Sequence, residues 1–165
     1  MQKLNFYNTL LDQTKDTDPS AAEHLAEEVN ILVHKLKFIP QDQRPSVLIL
    51  TQKTGFQPLF NEQLVDSVAI AGGALLSEKY GNPTFLLIVQ EDDKLYTDVP
   101  HLLQDEILSR TDAIQSNNVY VIHKSNFGIA SADFLPDIEI CAEILQPKYF
   151  IYGRKGMDWV QFDIA

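Results

Sequence analysis

Three short, mainly apolar runs constrain the fold of this chain most. They occupy residues 47–50, 84–89 and 119–122, and polar or turn-forming residues bound each of them. A strand with one solvent-facing side alternates apolar and polar residues, whereas a parallel strand covered on both faces reads as a continuous apolar run. Segments with helical apolar spacing separate the runs. We therefore expect an α/β fold with helices on both faces of a mostly parallel sheet, a three-layer αβα arrangement.

Apolar residues recur every three or four positions in the segments between and around these strands, which is typical of amphipathic helices. Asp18 is a favourable N-cap, and Pro19 is a favourable first helical residue because its missing N–H would be unpaired there. The segment between residues 91 and 98 is polar and acidic, and we expect a loop there. The expected helices cover residues 1–15, 19–38, 59–71, 102–110 and 136–145.

The carboxyl-terminal tail combines aromatic residues with a glycine-containing turn sequence at residues 153–156. This pattern predicts an extended β-hairpin, with the turn at its tip. The expected strand residues of the hairpin are Phe150, Tyr152, Trp159 and Phe162.

The length of 165 residues suits one structural domain with a substantial core. Within it we expect N-terminal helices over residues 1–43, a central α/β part over 44–150 and an extended tail over 151–165. The formal net charge of −10 disfavours binding to nucleic acid, because such a surface repels phosphate backbones. Membrane insertion is not expected either, because no stretch approaches the roughly 20 apolar residues that span a bilayer.

The strand pattern also predicts where a ligand would bind. Ligands of parallel α/β sheets lie beyond the carboxyl ends of the strands, which here are the segments at residues 51–56, 90–93 and 123–127. An aromatic rim in these loops either clasps a flat ligand or seals the top of the core or a subunit contact, and both readings stay open. The candidate ligand-binding residues are Thr51, Lys53, Phe56, Gln90, Glu91, His123, Asn126 and Phe127.

Motifs of common enzyme and metal sites are missing from the sequence. It contains no P-loop, no dinucleotide-binding glycine fingerprint, no G-x-S-x-G elbow, no H-E-x-x-H and no C-x-x-C. The single Cys141 lies in an apolar helical segment, where a thiol packs as a small hydrophobic group. We therefore expect no catalytic residues, no metal site and no cofactor.

Five segments, in order, resemble one known family. They are RPSVLIL at residues 44–50, LVDSVAIAGG at 64–73, NPTFLLIV at 82–89, TDAIQSNNVYVI at 111–122 and CAEILQPKYF at 141–150. Together they resemble the carboxyl-terminal lobe of the periplasmic binding proteins for vitamin B12 and iron-siderophores. In that comparison residues 19–38 resemble the end of the long backbone helix that joins the two lobes of the family.

The resemblance implies the fold of one binding-protein lobe and a metal-chelate ligand such as a corrinoid, haem or a ferric siderophore. Family members hold ligand in a cleft between two lobes, and only 43 residues precede Arg44 here. A homodimer that faces two carboxyl-end surfaces together would supply the missing half. The segment at residues 73–82 is shorter than its family counterpart, which carries a ligand contact and a transporter-docking acidic residue.

Two other functions compete with ligand binding. The shortened segment and the missing lobe also fit a cytoplasmic interaction or scaffold domain that kept the fold and lost transport. A chelatase-type enzyme would need a histidine and a carboxylate converging at a strand end, for which His123 and Glu91 are the candidate pair. We expect the chain as written to be cytoplasmic, because no signal peptide or lipoprotein cysteine is visible, and periplasmic only if a signal was removed.

Overall fold

The computed structural model of the chain describes residues 3–164, and a six-stranded sheet forms its centre. The strands are β1 (Ser46–Thr51), β2 (Gln57–Pro58), β3 (Ala74–Leu75), β4 (Phe85–Val89), β5 (Val119–Ile122) and β6 (Trp159–Gln161). The helices are α1 (Asn5–Thr17), α2 (Pro19–Leu36), α3 (Glu62–Ile70), α4 (Leu95–Leu102), α5 (Asp112–Gln115) and α6 (Phe134–Leu145). This confirms the expected α/β class and its mostly parallel sheet.

Parallel pairing joins the three strands that the apolar runs predict. β4 lies between β1 and β5, with Leu50 opposite Ile88 and Ile88 opposite Val121. The short β3 adds a parallel pair at the start of β1, and β2 adds an antiparallel pair at its end. β6 pairs antiparallel with β5 at the other edge of the sheet. The carboxyl ends of β1, β4 and β5 therefore meet along one rim.

Side chains alternate between two apolar layers along each central strand, as the two-residue period of a strand requires. Ile49, Leu87 and Ile122 belong to the layer that α1, α2, α3 and α6 cover. Leu50, Ile88 and Val121 belong to the opposite layer, which α4 and α5 cover. Both faces are buried, and this is why the strands read as continuous apolar runs.

Aspartate side chains fix the starts of α1 and α2 on the first face. Asp18 accepts a hydrogen bond from the Ala21 N–H at 3.1 Å, which confirms the predicted start of α2. The α1 helix has no side-chain cap of its own. Instead the buried Asp66 of α3 accepts from the Tyr7 N–H at 2.9 Å, so that one carboxylate both starts α1 and docks it. The predicted residues 1 and 2 of α1 lie outside the described part of the chain.

The fourth helix is a correction to the sequence prediction. α4 begins at Leu95, within the segment expected to be a loop, and ends at Leu102, where the predicted helix was to start. Leu95, Val99 and Leu103 are spaced by four residues and are buried against the sheet. Beyond the helix, the Asp105 carboxylate accepts from the backbone N–H groups of residues 107 and 108, at 3.1 and 3.0 Å, and forms a turn in the segment where the predicted helix was to continue.

The predicted C-terminal hairpin is wrong. Phe150 and Tyr152 are not strand residues, and Trp159 lies in β6, which pairs with β5 instead. The reason is the buried Glu143 of α6, whose carboxylate accepts from the backbone N–H groups of Tyr152 and Gly153 and from the Trp159 indole at 2.8 Å. Because the Glu143 carboxylate satisfies these backbone N–H groups, the segment around Phe150 and Tyr152 does not need hydrogen bonds from a partner strand.

Candidate functional site

A cleft of about 210 Å³ opens at the carboxyl ends of β1, β4 and β5, where the sequence predicts a ligand site. We call it the carboxyl-end cleft. It receives residues from the end of β1, from the loop after β4 and from the loop after β5. Its lining consists of Thr51, Lys53, Leu59, Val89, Gln90, Glu91, Lys124, Ser125, Asn126, Phe127 and Ile129.

The structure brings six of the eight candidate residues together in this cleft. They are Thr51, Lys53, Gln90, Glu91, Asn126 and Phe127. The other two, Phe56 and His123, do not line it. Phe56 packs against the apolar layer on the α4 side of the sheet. The imidazole Nε2 of His123 lies 2.7 Å from the Tyr96 hydroxyl of α4.

The position of His123 also bears on the chelatase alternative. Its side chain follows the alternation of Val119 and Val121, which face the α4 side. Glu91 lines the cleft, whereas His123 contacts Tyr96 outside it. Within residues 3–164 no group of three or more His, Cys, Asp or Glu side chains is arranged to hold a metal ion. The arrangement therefore gives the proposed acid–base pair no shared site.

Lys124 is a cleft residue that the sequence reasoning did not single out. Its side chain is 16% exposed, and its Nζ lies 3.0 Å from Asp133 Oδ2 and 3.3 Å from Asp137 Oδ1. Both carboxylates raise the pKa of Lys124 against the opposing effect of burial. The strand alternation places Lys124 with Tyr120 and Ile122, on the same side as the cleft. That alternation is the signal that identifies it.

Asp137 lies beneath the cleft with a side chain that solvent does not reach. Burial raises the pKa of this carboxyl to about 6, against the lowering effects of the Gly128 N–H and of Lys124. Its Oδ2 accepts from the Gly128 N–H at 2.8 Å, while Oδ1 has the ion pair with Lys124 but no aligned hydrogen bond. The carboxylate thus ties the loop after β5 to α6.

The same loop is fixed from the α3 side. Gly128 has φ +75°, and a Cβ on it would lie 2.6 Å from Leu64 Cγ, so both its backbone conformation and its close packing require glycine. Asn61 caps α3 through the Leu64 N–H at 2.8 Å and donates to the Gly128 carbonyl at 3.0 Å. One wall of the cleft is therefore held rigidly against two helices.

The opposite wall is tied together by Gln52. Its Oε1 accepts from the N–H groups of Glu91 and Asp92 at 2.7 and 3.0 Å, and its Nε2 donates to Asp92 Oδ1 at 2.7 Å. These contacts join the loops after β1 and β4. They leave the exposed Lys53 and Glu91 side chains at the cleft, beside the amides of Gln90 and Asn126.

The two buried aromatic residues near this rim, Phe127 and Phe134, favour the reading in which the aromatic rim seals the core. Phe127 and Phe134 are each 1% exposed and belong to the main core, and the Phe134 ring lies 5.2 Å from that of Phe6. They seal the core, and Phe127 forms part of the cleft floor. Phe60 is 49% exposed but does not line the cleft. The residue that offers exposed apolar surface there is Ile129, which is 61% exposed.

No family model matches the chain, and no curated protein does either. Solved structures do match it in fold. An ABC transporter substrate-binding protein from Listeria monocytogenes EGD-e superposes with a TM-score of 0.64 at 16% identity, covering 86% of this chain and 64% of that one. S. aureus IsdE complexed with heme gives 0.61 at 18% identity, covering 87% and 65%. A periplasmic heme-binding protein from Pseudomonas aeruginosa gives 0.57 at 16%, covering 88% and 61%.

These similarities show the fold alone. The chain has the α/β architecture found in ABC-transporter substrate-binding proteins, and it spans less than two thirds of the length of each of these three neighbours. Within the described residues, no helix is long and apolar enough to cross a membrane.

Proposed function

We propose that this chain is a single-lobe homologue of the ABC-transporter substrate-binding proteins and that its carboxyl-end cleft binds a metal chelate of the haem, ferric-siderophore or corrinoid class. The observation that carries the proposal is the convergence of β1, β4 and β5 on one cleft with charged, amide and apolar side chains. Neighbours with the same fold are described with heme or with molybdate bound. Under this proposal the chain works outside the cytoplasmic membrane.

The side chains of the cleft suit an anionic chelate with an apolar body. Lys53 is exposed and free to meet a peripheral carboxylate, while Gln90 and Asn126 offer amide donors. Leu59 and Ile129 supply apolar contact. Lys124 is already paired with Asp133 and Asp137, so Lys53 is the lining cation that remains available to an anionic group, with Glu91 as the lining carboxylate beside it.

The volume of the cleft argues for a second surface. At about 210 Å³ it lies below the roughly 300–1,000 Å³ of pockets that enclose drug-sized ligands. A metal chelate of these classes would therefore project beyond one lobe. We propose that a second copy of the chain covers it, with the two carboxyl-end clefts facing each other.

Titration of the purified chain with haemin, cyanocobalamin and a ferric hydroxamate siderophore tests the proposal. A ligand present at 100 times its dissociation constant should add about 2.7 kcal/mol to the free energy of unfolding. For a chain of this size that corresponds to a rise in Tm of roughly 5–11 °C. Haemin binding should also shift the Soret band.

A matched pair of variants locates the binding site. Ile129→Asp places a carboxylate on the exposed rim of the cleft, and it should weaken binding of an anionic chelate by about tenfold or more. Ile107→Asp is the control, because Ile107 is also exposed but lies beside Asn82 and Arg110, near the amino end of β4. The proposal fails if none of the three ligands raises Tm, or if both variants weaken binding equally.

One observation favours the alternative of a protein-interaction domain. Phe38 and Tyr149 are 61% and 45% exposed, with their rings 5.9 Å apart in an edge-on contact, and Ile151 is 88% exposed. A Phe38→Ser, Ile151→Ser double variant that loses a stoichiometric partner but keeps chelate binding would establish a second function. If chelate binding is absent as well, the interaction role becomes the primary one.

A further inference from the structure

A second cavity lies at the opposite end of the sheet from the carboxyl-end cleft. It has a volume of about 330 Å³ and is bounded by the ends of α2 and α3 and by the segment that leads into β1. We call it the amino-end cavity. Its apolar lining comes from Leu4, Val33, Leu36, Ile39, Pro40 and Ile70.

The charged side chains in the lining of this cavity are both cations. They are Lys37 and Arg44, and no Asp or Glu of the described residues 3–164 lines it. The carboxyl ends of α2 and α3, at Leu36 and Ile70, also border the cavity. Each helix end carries the equivalent of about −0.5 charge, so the two ends offset about one of the two cations. About one positive charge remains for a ligand in a chain whose net charge is −10.

Arg44 is incompletely paired in the structure. Its Nη1 donates to the Ala69 carbonyl at 3.0 Å, which holds the guanidinium at the end of α3. Its Nε is buried and has no hydrogen-bond partner among residues 3–164. A buried N–H without a partner is unfavourable, and guanidinium N–H groups match the two oxygens of a carboxylate. The cavity therefore combines an apolar wall with the guanidinium of Arg44, whose Nη groups, unlike the buried Nε, can reach a ligand.

We propose that the amino-end cavity binds a small amphipathic carboxylate, with its carboxylate at Arg44 and Lys37 and its hydrocarbon body against Val33, Leu36 and Ile70. At roughly 30 Å³ for each water-sized group, the cavity accommodates about ten non-hydrogen atoms. A straight-chain acid of eight carbons has this size. The site is separate from the carboxyl-end cleft and does not depend on the function proposed for that cleft.

Titration of the full chain with octanoate, followed by isothermal calorimetry and by NMR of its methyl groups, tests this proposal. Octanoate should bind with one molecule per chain and should shift the methyl resonances of Val33, Leu36 and Ile70. Octan-1-ol has the same hydrocarbon body without the charge, and it should bind at least about tenfold more weakly. These measurements use the unaltered chain, so they do not depend on whether a variant folds.

Two variants then assign the charge contact. Arg44→Met keeps the apolar stem and should weaken octanoate binding about tenfold or more while leaving octan-1-ol binding unchanged. Arg110→Met is the matched control, because Arg110 is exposed and pairs only with Glu106 among its salt bridges, and it should leave both affinities unchanged. The proposal is overturned if octanoate does not bind, if it binds no better than octan-1-ol, or if its shifts map to the carboxyl-end cleft.

Discussion

Two ionisable side chains, Lys124 in the lining of the carboxyl-end cleft and Asp137 beneath it, form an ion pair. Asp137 is inaccessible to solvent, and its partner Lys124 is 16% exposed. Burial of a carboxylate is unfavourable unless its oxygens are paired, and Lys124 and the Gly128 N–H compensate only in part. The net result is a carboxyl pKa raised from 3.8 to about 6. Protonation of this group therefore falls in an accessible pH range.

Asp137 should make a pH-dependent contribution to stability. Its folded-state pKa lies above its unfolded value, so its contribution is complete below about pH 4 and is lost as pH rises through about 6. Relative to Asp137→Asn, the wild type should therefore lose up to about 3 kcal/mol of its free energy of unfolding as pH rises across that range. Urea unfolding at several pH values measures it, and carboxyl NMR should show a midpoint near 6.

Lys124→Met provides the control for that measurement. Loss of the neighbouring cation removes one influence that lowers the Asp137 pKa, so the NMR midpoint should move upward. A midpoint near 4 in the wild type, or a flat difference between wild type and Asp137→Asn, would contradict the assignment.

Strand alternation explains which part of the candidate site was predictable. Once 119–122 is identified as a strand, residues 122 and 124 must share one face and residues 121 and 123 the other. The sequence therefore separates His123 from Lys124. It does not say which face carries the cleft, because that depends on where Asn61 and Asp137 fix the glycine-containing loop after β5. Long-range hydrogen bonds of this kind leave no local signal.

At the scale of single elements, the tail depends on one buried carboxylate. Glu143 is 4% exposed, and it binds the Trp159 indole together with the backbone of residues 152–154. Arg154 adds ion pairs with Glu139 at 2.7 Å and Asp158 at 2.8 Å. These contacts bring the tail back to the sheet, where β6 pairs with β5.

Removal of the Glu143 carboxylate should release the tail. Glu143→Ala leaves the indole and two or more backbone N–H groups without a partner, which should cost about 3 kcal/mol and lower Tm by roughly 6–12 °C. Trp159 is the only tryptophan and is 6% exposed, so its emission should shift to the red as the tail detaches. Glu143→Gln keeps one acceptor oxygen and should give an intermediate loss.

Glu106→Ala is the matched control, because Glu106 is 85% exposed and forms a surface pair with Arg110. It should change the free energy of unfolding by less than about 1 kcal/mol. If Glu143→Ala retains both the wild-type Tm and the wild-type tryptophan emission, Glu143 does not hold the tail.

The elements themselves were predictable where local signals agree. Asp18 and Pro19 mark the start of α2, and continuous apolar runs mark β1, β4 and β5. The prediction of α4 was displaced because the acidic segment at residues 91–98 was expected to be a loop, whereas α4 begins within it at Leu95 and contains Pro100, a residue that is unusual inside a helix. The two-residue β2 and β3 exist through their pairing with β1, so they have no sequence pattern of their own.

At the scale of the whole molecule, the small cleft favours the association of two copies of the chain, whereas the net charge opposes it. The carboxyl-end cleft of about 210 Å³ is small for a metal chelate, and a second copy facing the first would enclose it. Each copy carries a net charge of −10, so long-range repulsion opposes that association. Added salt shortens the screening length from about 10 Å at 0.1 M to about 3 Å at 1 M. Ligand and salt should therefore both favour the proposed dimer.

Analytical ultracentrifugation of the chain with and without a bound chelate tests this dimer. The free chain should have a measured mass of 18.7 kDa in low salt. The saturated complex should have twice that mass and contain one ligand for two chains. The dimer should strengthen as salt rises, whereas a dimer held by charge pairs would weaken. Ile129→Asp should lose ligand-induced dimerisation, and Ile107→Asp should retain it. A saturated complex that stays at 18.7 kDa at every salt concentration would show that one lobe binds alone.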